Sequence, residues 1–284
     1  MRFKTENKTL INCHGKLISL EEPKIMGTIN LNNDSFYSGS RKQSDLAVLK
    51  TVEKMLNEGA DFIDLGAYSS KPGAENISTS EELNRIVVIN EIVKQFPEAV
   101  LSIDTFRAEV ASAAINSGAA IINDISGGEL DSNMFNLVAK LKVPYIMMHM
   151  KGTPQTMKEL TNYDDILHDM NRYFSKKINE LTQLGVNDVI LDPGFGFAKT
   201  TEQNFYLLNN LDHFQIFGLP VLAGVSRKSL IYKTLGSTPE QALNGTTVLN
   251  TLALNNRAKI LRVHDVKEAV EARTLFLAYQ KGID

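Results

Sequence analysis

The segment Val189-Ile190-Leu191-Asp192-Pro193-Gly194-Phe195-Gly196-Phe197-Ala198-Lys199 concentrates the most chemistry in this chain of 284 residues. An apolar, strand-like run ends on a carboxylate. Pro193, Gly194 and Gly196 then bend the backbone, and Phe195 and Phe197 are expected near the surface. A carboxylate beside exposed rings suits a flat, nitrogen-rich ligand, because the rings stack on it while the carboxylate accepts from adjacent N–H donors. An ordinary strand-to-helix turn would have the same local sequence.

The pattern recurs along the chain. Lys24 to Ile29 runs to Asn30, Asp61 to Leu65 runs to Gly66, and Val100 to Ile103 runs to Asp104. Ala120 to Ile122 leads to Asn123 and Asp124, and Pro144 to Met148 leads to His149. Pro220 to Val225 precedes Ser226, Arg227 and Lys228, and Lys259 to Leu261 precedes Arg262, Val263 and His264. With the Asp192 run these are eight short apolar stretches of the fully buried kind. Helical spacing appears between them, as at Leu46, Leu49, Val52 and Leu56, and again at Ile166, Met170, Tyr173, Phe174, Ile178 and Leu181 before Gly185. Thr79 and Glu82 have the spacing of a capping box. Strands and helices alternating over this length predict an α/β fold, a (β/α)8 TIM barrel. A short β-hairpin from Thr9 to Leu20, turning at His14-Gly15-Lys16, precedes it, and residues 1–284 read as a single barrel domain. An open doubly wound sheet is the alternative, but its Gly-x-Gly-x-x-Gly fingerprint is absent after the first strand.

Composition narrows the function. A net charge of −3 without an aromatic-basic stripe argues against a nucleic-acid partner. No apolar run approaches the ~18 residues of a membrane span, and the polar start lacks a signal peptide's apolar region, so a cytoplasmic protein with no membrane partner is expected. The single cysteine, Cys13, excludes an internal disulfide, and with His14 it makes no metal quartet.

If the strands close a barrel, their C-terminal ends share one mouth, where barrel active sites lie. Asp104, Asn123 and Asp192 bring acceptors and an amide there, while Arg227, Lys228, Arg262 and His264 bring positive charge. One side thus suits a heteroaromatic with N–H donors and the other an anion. A His-rich zinc site is disfavoured, since the strand ends offer only His149 and His264. A hard ion such as Mg²⁺, held mainly by substrate phosphate and water with one protein oxygen, is compatible.

Taken in order, Ile25 to Phe36, Gly66 to Ala74, Ser102 to Thr105, Ile121 to Ile125, Met148 to Met150, Leu191 to Lys199, Ser226 to Ser229 and Arg262 to Asp265 resemble the motif series of the dihydropteroate synthases. That family joins a dihydropterin pyrophosphate to p-aminobenzoate (4-aminobenzoate) in folate synthesis. The resemblance implies a transferase that releases pyrophosphate and forms 7,8-dihydropteroate. Carried onto these positions, it implies a pterin-binding set of Asp104, Asn123, Met148, Asp192 and Lys228. It implies pyrophosphate binding by Asn30, Lys71, Arg262 and His264, with Mg²⁺ bridged to Asn30. Phe36, Ser70, Pro72, Phe197 and Ser229 would frame p-aminobenzoate, and Asp104, Lys228, Arg262 and His264 would be catalytic. A homodimer through the late helices is also implied, where Leu249, Leu252, Leu254, Leu275, Phe276 and Leu277 are available.

The residue types suit that reaction. The pterin's 2-amino-4-oxo edge presents neighbouring N–H donors that Asp192 can accept, beside a donating and accepting Asn123 and a donating Lys228. Departure of pyrophosphate leaves positive charge in the ring, which Asp104 would stabilise more in the transition state than in the ground state. Asp64 and Asp124, beside the matched positions, read as helix-capping or structural. His149 reads as filling space under the pterin, and His168 and His213 as solvated.

The chain departs from the family's usual pattern in three places. Thr-Pro of the first loop is Asn32-Asn33, Gly-Glu-Ser-Thr-Arg of the second is Ala67-Tyr68-Ser69-Ser70-Lys71, and a glycine after Phe197 is Ala198. None touches the pterin set. A pterin-dependent methyltransferase, serving a corrinoid protein, is similar in pocket but needs no anion site at Lys71, Arg262 and His264. A catalytically silent pterin-binding protein is favoured only by the altered loops.

Overall fold

The computed structural model of the chain describes residues 9–31, 41–68 and 76–282. Two short strands, β1 (Leu10–Cys13) and β2 (Lys16–Ser19), form an antiparallel hairpin. Eight parallel strands follow: β3 (Lys24–Asn30), β4 (Phe62–Gly66), β5 (Leu101–Asp104), β6 (Ile121–Asp124), β7 (Tyr145–Met148), β8 (Val189–Asp192), β9 (Leu222–Ala223) and β10 (Ile260–Val263). They are ordered β8-β7-β6-β5-β4-β3-β10-β9, and a bridge between Leu191 and Val221 joins the outermost strands into a ring. The helices outside it are α1 (Arg41–Asn57), α2 (Thr79–Ile86), α3 (Ile89–Gln95), α4 (Ala108–Asn116) and α5 (Met134–Leu141). The second half adds α6 (Ile166–Gln183), α7 (Thr201–Asn209), α8 (Ser229–Thr234), α9 (Leu243–Asn255) and α10 (Val266–Lys281). This is the (β/α)8 barrel with an N-terminal hairpin that the alternation predicts.

Register decides which side chains reach the axis, because strand residues two apart share a face. Met26 pairs with Phe62 and with Arg262, Asp104 pairs with Asn123, Asn123 with Ile146, and Met148 with Asp192. These positions therefore belong to one inward-facing set. Its lower layer is apolar: Met26, Phe62, Ile121, Ile146, Ile190 and Ile260 pack with Ile11, Cys13 and Leu20, so the hairpin stoppers the N-terminal end. The upper layer holds Asp64, Asp104, Asn123, Met148, Asp192 and Arg262. The alternate set, including Ile63, Ile103, Leu191 and Leu261, packs outward against the helices.

Asp124 has the outward parity. Its carboxylate accepts from the Ser126 backbone N–H and hydroxyl at 2.7 Å each, from the Gly128 N–H at 2.8 Å and from the Tyr145 hydroxyl at 2.7 Å. It is a loop anchor, as its structural reading holds. Three local expectations change. Ser78, not Thr79, caps α2 by accepting from Glu81 N–H at 3.1 Å, and the fully buried Glu82 instead accepts from the Thr105 hydroxyl at 2.6 Å and pairs with Arg107. The ladder at β9 spans only Leu222–Ala223, because the chain leaves it at Gly224 to carry Ser226 and Lys228 over the mouth. Phe195 is fully buried in the outer core rather than near the surface, since the left-handed Gly194 and Gly196 (φ +70° and +81°) turn it inward.

Because the hairpin closes the end opposite the mouth, Ile11→Ala should destabilise the chain without changing substrate handling. We expect a loss of about 2–5 kcal/mol, the range for truncating a buried aliphatic, read as a lower urea midpoint. Unaltered stability would contradict the stopper.

Candidate active site

The inward positions nearest the strand ends converge on Arg262. Its Nε donates to Asp64 Oδ2 at 2.6 Å and its Nη2 to Asp104 Oδ2 at 2.7 Å. Asn123 Nδ2 donates to the same Asp64 oxygen at 3.0 Å. One guanidinium thus ties β10 to β4 and β5, and β6 joins through the amide. Asp64 lies inside this network in the middle of β4, so of its reading as helix-capping or structural only the structural half stands. Counting back two residues from Gly66 along the same strand face finds it. Asp64 is fully buried, and its Oδ1 has no partner among the described residues.

Next to this network, the loop after β8 makes a platform. Asp192 Oδ1 accepts from Gly194 N–H at 2.7 Å, and Lys228 Nζ reaches the Phe195 carbonyl at 2.5 Å and lies 4.8 Å from the centre of the Phe197 ring. Met148, Ile125 and Ala198 form an apolar cluster against which Phe197 and Phe106 pack. Ile125 and Phe106 add apolar surface that the search for polar strand ends passes over. Ala198 adopts φ +49°, the left-handed conformation better suited to the family's usual glycine, and its carbonyl accepts from the Tyr163 hydroxyl at 3.0 Å.

The other side of the mouth carries His264. Ser226 Oγ accepts from the His264 backbone N–H at 3.2 Å and lies 3.0 Å from Nδ1. Ser226 is an orienting residue that a search for charged strand ends overlooks. Ser229 begins α8, with Lys228 at its N-cap, and Asn30 ends β3 exposed at the mouth. Arg227 is not part of this group: its guanidinium is bound to both oxygens of Asp265 at 2.8 Å and to the Pro239 and Glu240 carbonyls. His168 is exposed as expected, whereas His213 is half-buried against Asn171, with Nε2 2.8 Å from the amide nitrogen. Phe36, Ser70, Lys71 and Pro72 lie outside the described residues.

Burial and charge set the protonation states. Burial pushes the Asp104 carboxyl up to about 7; Arg262 opposes this, and the like charge of Asp64 adds to it. Burial also raises Asp192, opposed by Lys228 and the Gly194 N–H. Lys228 is lowered to about 8 by burial, against the pull of Asp192. Desolvation in the depth of the mouth, followed by Arg262, holds His264 below its ordinary value even though part of the residue reaches solvent. Among the described residues no three His, Cys, Asp or Glu side chains cluster as a metal site. A hard cation would find the single side-chain oxygen of Asn30, which fits an ion that keeps most of its ligands from water and phosphate.

Asp104, Asn123, Asp192, Lys228 and Arg262 thus gather at the mouth of a (β/α)8 barrel, and residues 26–264 match the sequence profile of the family described as "Pterin binding enzyme". The dihydropteroate synthase of Escherichia coli (strain K12) is 40% identical over 260 residues, covering 91% of this chain and 92% of that protein. The structure superposes on Xanthomonas albilineans dihydropteroate synthase with 4-aminobenzoic acid at a TM-score of 0.88, with 36% identity and 96% and 98% of the two chains covered. A Yersinia pestis dihydropteroate synthase with a sulfonamide drug matches at a TM-score of 0.89 and 36% identity, covering 96% and 99%. The chain belongs to the dihydropteroate synthases within the pterin-binding enzyme family.

The shared guanidinium has a measurable consequence. With Asp104 titrating at about 7, kcat/KM should rise with pH up to that value as the carboxylate forms. Asp64→Asn removes the like charge and leaves Arg262 to Asp104 alone, which lowers the Asp104 pKa. The acid limb of kcat/KM should then move to lower pH. An unmoved limb would separate the two carboxylates electrostatically.

Proposed function

We propose that this mouth binds a dihydropterin pyrophosphate and p-aminobenzoate and joins them into 7,8-dihydropteroate, releasing pyrophosphate, as a cytoplasmic enzyme of folate synthesis. The observation that carries the reading is the convergence of Asp192, Asn123 and Lys228 around an apolar floor containing Met148, next to the Asp64–Arg262–Asp104 network. Asp192 accepts from the paired N–H groups of the pterin edge, Asn123 both donates and accepts, and Lys228 donates to the carbonyl and ring nitrogen. Met148 packs beneath the ring.

The aniline nitrogen attacks the exocyclic carbon, the carbon–oxygen bond breaks, pyrophosphate departs with the electron pair, and the nitrogen then loses its proton. No protein nucleophile is needed. Asp104 faces the positive charge that develops in the ring, which is where a fixed carboxylate accelerates the step. Arg262 as a cation and His264 as a neutral imidazole face the leaving pyrophosphate, with Lys71 as a second cation. Asn30 is the residue that would hold Mg²⁺, which when bound neutralises charge on the departing phosphates. Phe197 and Ser229, with Phe36, Ser70 and Pro72, frame p-aminobenzoate, and sulfonamides of similar shape should compete for that space.

The test is formation of dihydropteroate from the two purified substrates. Asp192→Asn should weaken pterin binding by about 5- to 150-fold in calorimetry, because an amide directs a donor at a donor and leaves buried groups unpaired at about 1–3 kcal/mol. Undiminished affinity would remove Asp192 from the pterin site.

We further propose a homodimer through α9 and α10. Leu252, Leu275 and Tyr279 are exposed at 45%, 71% and 63% around a shallow cavity of 560 Å³, whereas Leu249 and Leu254 are core residues and unavailable to a partner. Sedimentation at micromolar concentration should give a dimer, and Leu275→Glu should shift it to monomer. A monomeric parent would refute the interface.

A further inference from the structure

Lys199 is a buried lysine with no place in the chemistry above. Its Nζ lies 3.1 Å from His149 Nδ1, 3.0 Å from the Phe197 carbonyl, 3.1 Å from the Gly194 carbonyl and 3.4 Å from the His149 carbonyl. An ammonium has three protons and no lone pair, so a charged Lys199 donates to His149 Nδ1 and the imidazole is neutral. The backbone it grips is the site's own platform. Asp192 is braced by Gly194 N–H, Phe195 holds Lys228 through its carbonyl, and Phe197 lies beneath the Lys228 ammonium. His149 is itself fixed to β8 by its backbone N–H, which donates to the Asp192 carbonyl at 2.9 Å.

We infer that Lys199 is a positioning residue, tying the Gly194–Phe197 turn to the end of β7 and thereby fixing Asp192 toward the pterin and the Phe197 ring toward the second substrate. The inference rests on the proposed dihydropteroate-forming activity. Four acceptors stabilise the ammonium, while burial works against it and brings its pKa down to about 7. The charged and titratable groups facing it are Asp192 from β8, Lys228 from the loop after β9, and His149 and Lys151 from the loop after β7. The tie is therefore made below that pH and weakened above it.

Lys199→Met keeps the volume and removes the donor. With an unchanged circular dichroism spectrum, its KM for both substrates should rise about tenfold or more, the scale of one lost charge-assisted hydrogen bond, with a smaller loss in kcat. The part of the alkaline fall in kcat/KM belonging to Lys199 should vanish, leaving the fall due to Lys228. A folded variant with parental KM values and the parental alkaline limb overturns the inference. If Lys199→Met does not fold, His149→Phe decides. It keeps the ring and deletes the Nδ1 acceptor, so the ammonium loses a partner and the alkaline limb should move to lower pH; an unmoved limb overturns the inference. Absence of dihydropteroate from the parent would instead fail the proposed function. Calorimetric affinity for a dihydropterin without pyrophosphate, parent against Lys199→Met or His149→Phe, then reads the tie: a weaker variant supports it and an equal one refutes it.

Discussion

Alternation along parallel strands is the constraint on which this protein's chemistry depends. Each strand can present to the axis only every second residue, and the chain uses the inward positions twice over. Low in the barrel they are apolar and sealed by the hairpin; high in the barrel they are Asp64, Asp104, Asn123, Asp192 and Arg262. A register slip of one residue in β4 or β10 would exchange Asp64 for Ile63 or Arg262 for Leu261, moving charge into the helix interface. The packing of the outer core therefore protects the site's composition as well as the fold.

Within that frame Arg262 sets the electrostatics. A single guanidinium faces two carboxylates at hydrogen-bond distance, so once Asp104 loses its proton, at about pH 7, one negative charge is left uncompensated in a largely desolvated space. At an effective dielectric of about 20, charges 4 Å apart interact by about 4 kcal/mol, enough for the second carboxylate to shift the first appreciably. Lys228 lies beside Asp192 on the platform and a neutral His264 lies on the other side of the mouth, so the polar groups are fixed before any ligand arrives, and little reorganisation is needed during the reaction.

The fold was legible because eight apolar runs ended on polar residues, and a strand's end is a local feature. Most of the described site residues were legible for the same reason: Asp104, Asn123, Asp192 and Arg262 each stand at or next to a strand's last position. What escaped was what depends on direction and distance. Asp64 is in the middle of β4, and only parity and register reveal that it shares Arg262 with Asp104. Phe195 and Phe197 are two residues apart, yet the left-handed glycines turn one into the core and leave the other half-buried at the mouth. Arg227 adjoins Lys228 in sequence but points to Asp265, and Lys199 reaches back to the carbonyl of Gly194, five residues earlier, which nothing in their spacing announces.

Two departures from the family pattern lie among the described residues: Ala198, buried in the apolar cluster that contains Met148, and Tyr68. Tyr68 stands at the base of the second loop in place of the usual glutamate, and it is buried: its ring packs edge-on against Phe106 at 5.0 Å, Arg107 lies 5.4 Å from its centre, and its hydroxyl accepts from Gln155 at 3.0 Å. Arg107 already pairs with the buried Glu82 and donates to the Ile77 carbonyl at 2.7 Å. A second carboxylate beside it would lack a cation of its own, and burying an unpaired charge costs more than burying a ring with a satisfied hydroxyl. The tyrosine thus anchors the loop's beginning through packing and one hydrogen bond, while Arg107 braces its end through Ile77. The pterin side has no comparable latitude, because Asn123, Asp192 and Arg262 occupy inward strand positions whose neighbours are already determined by register.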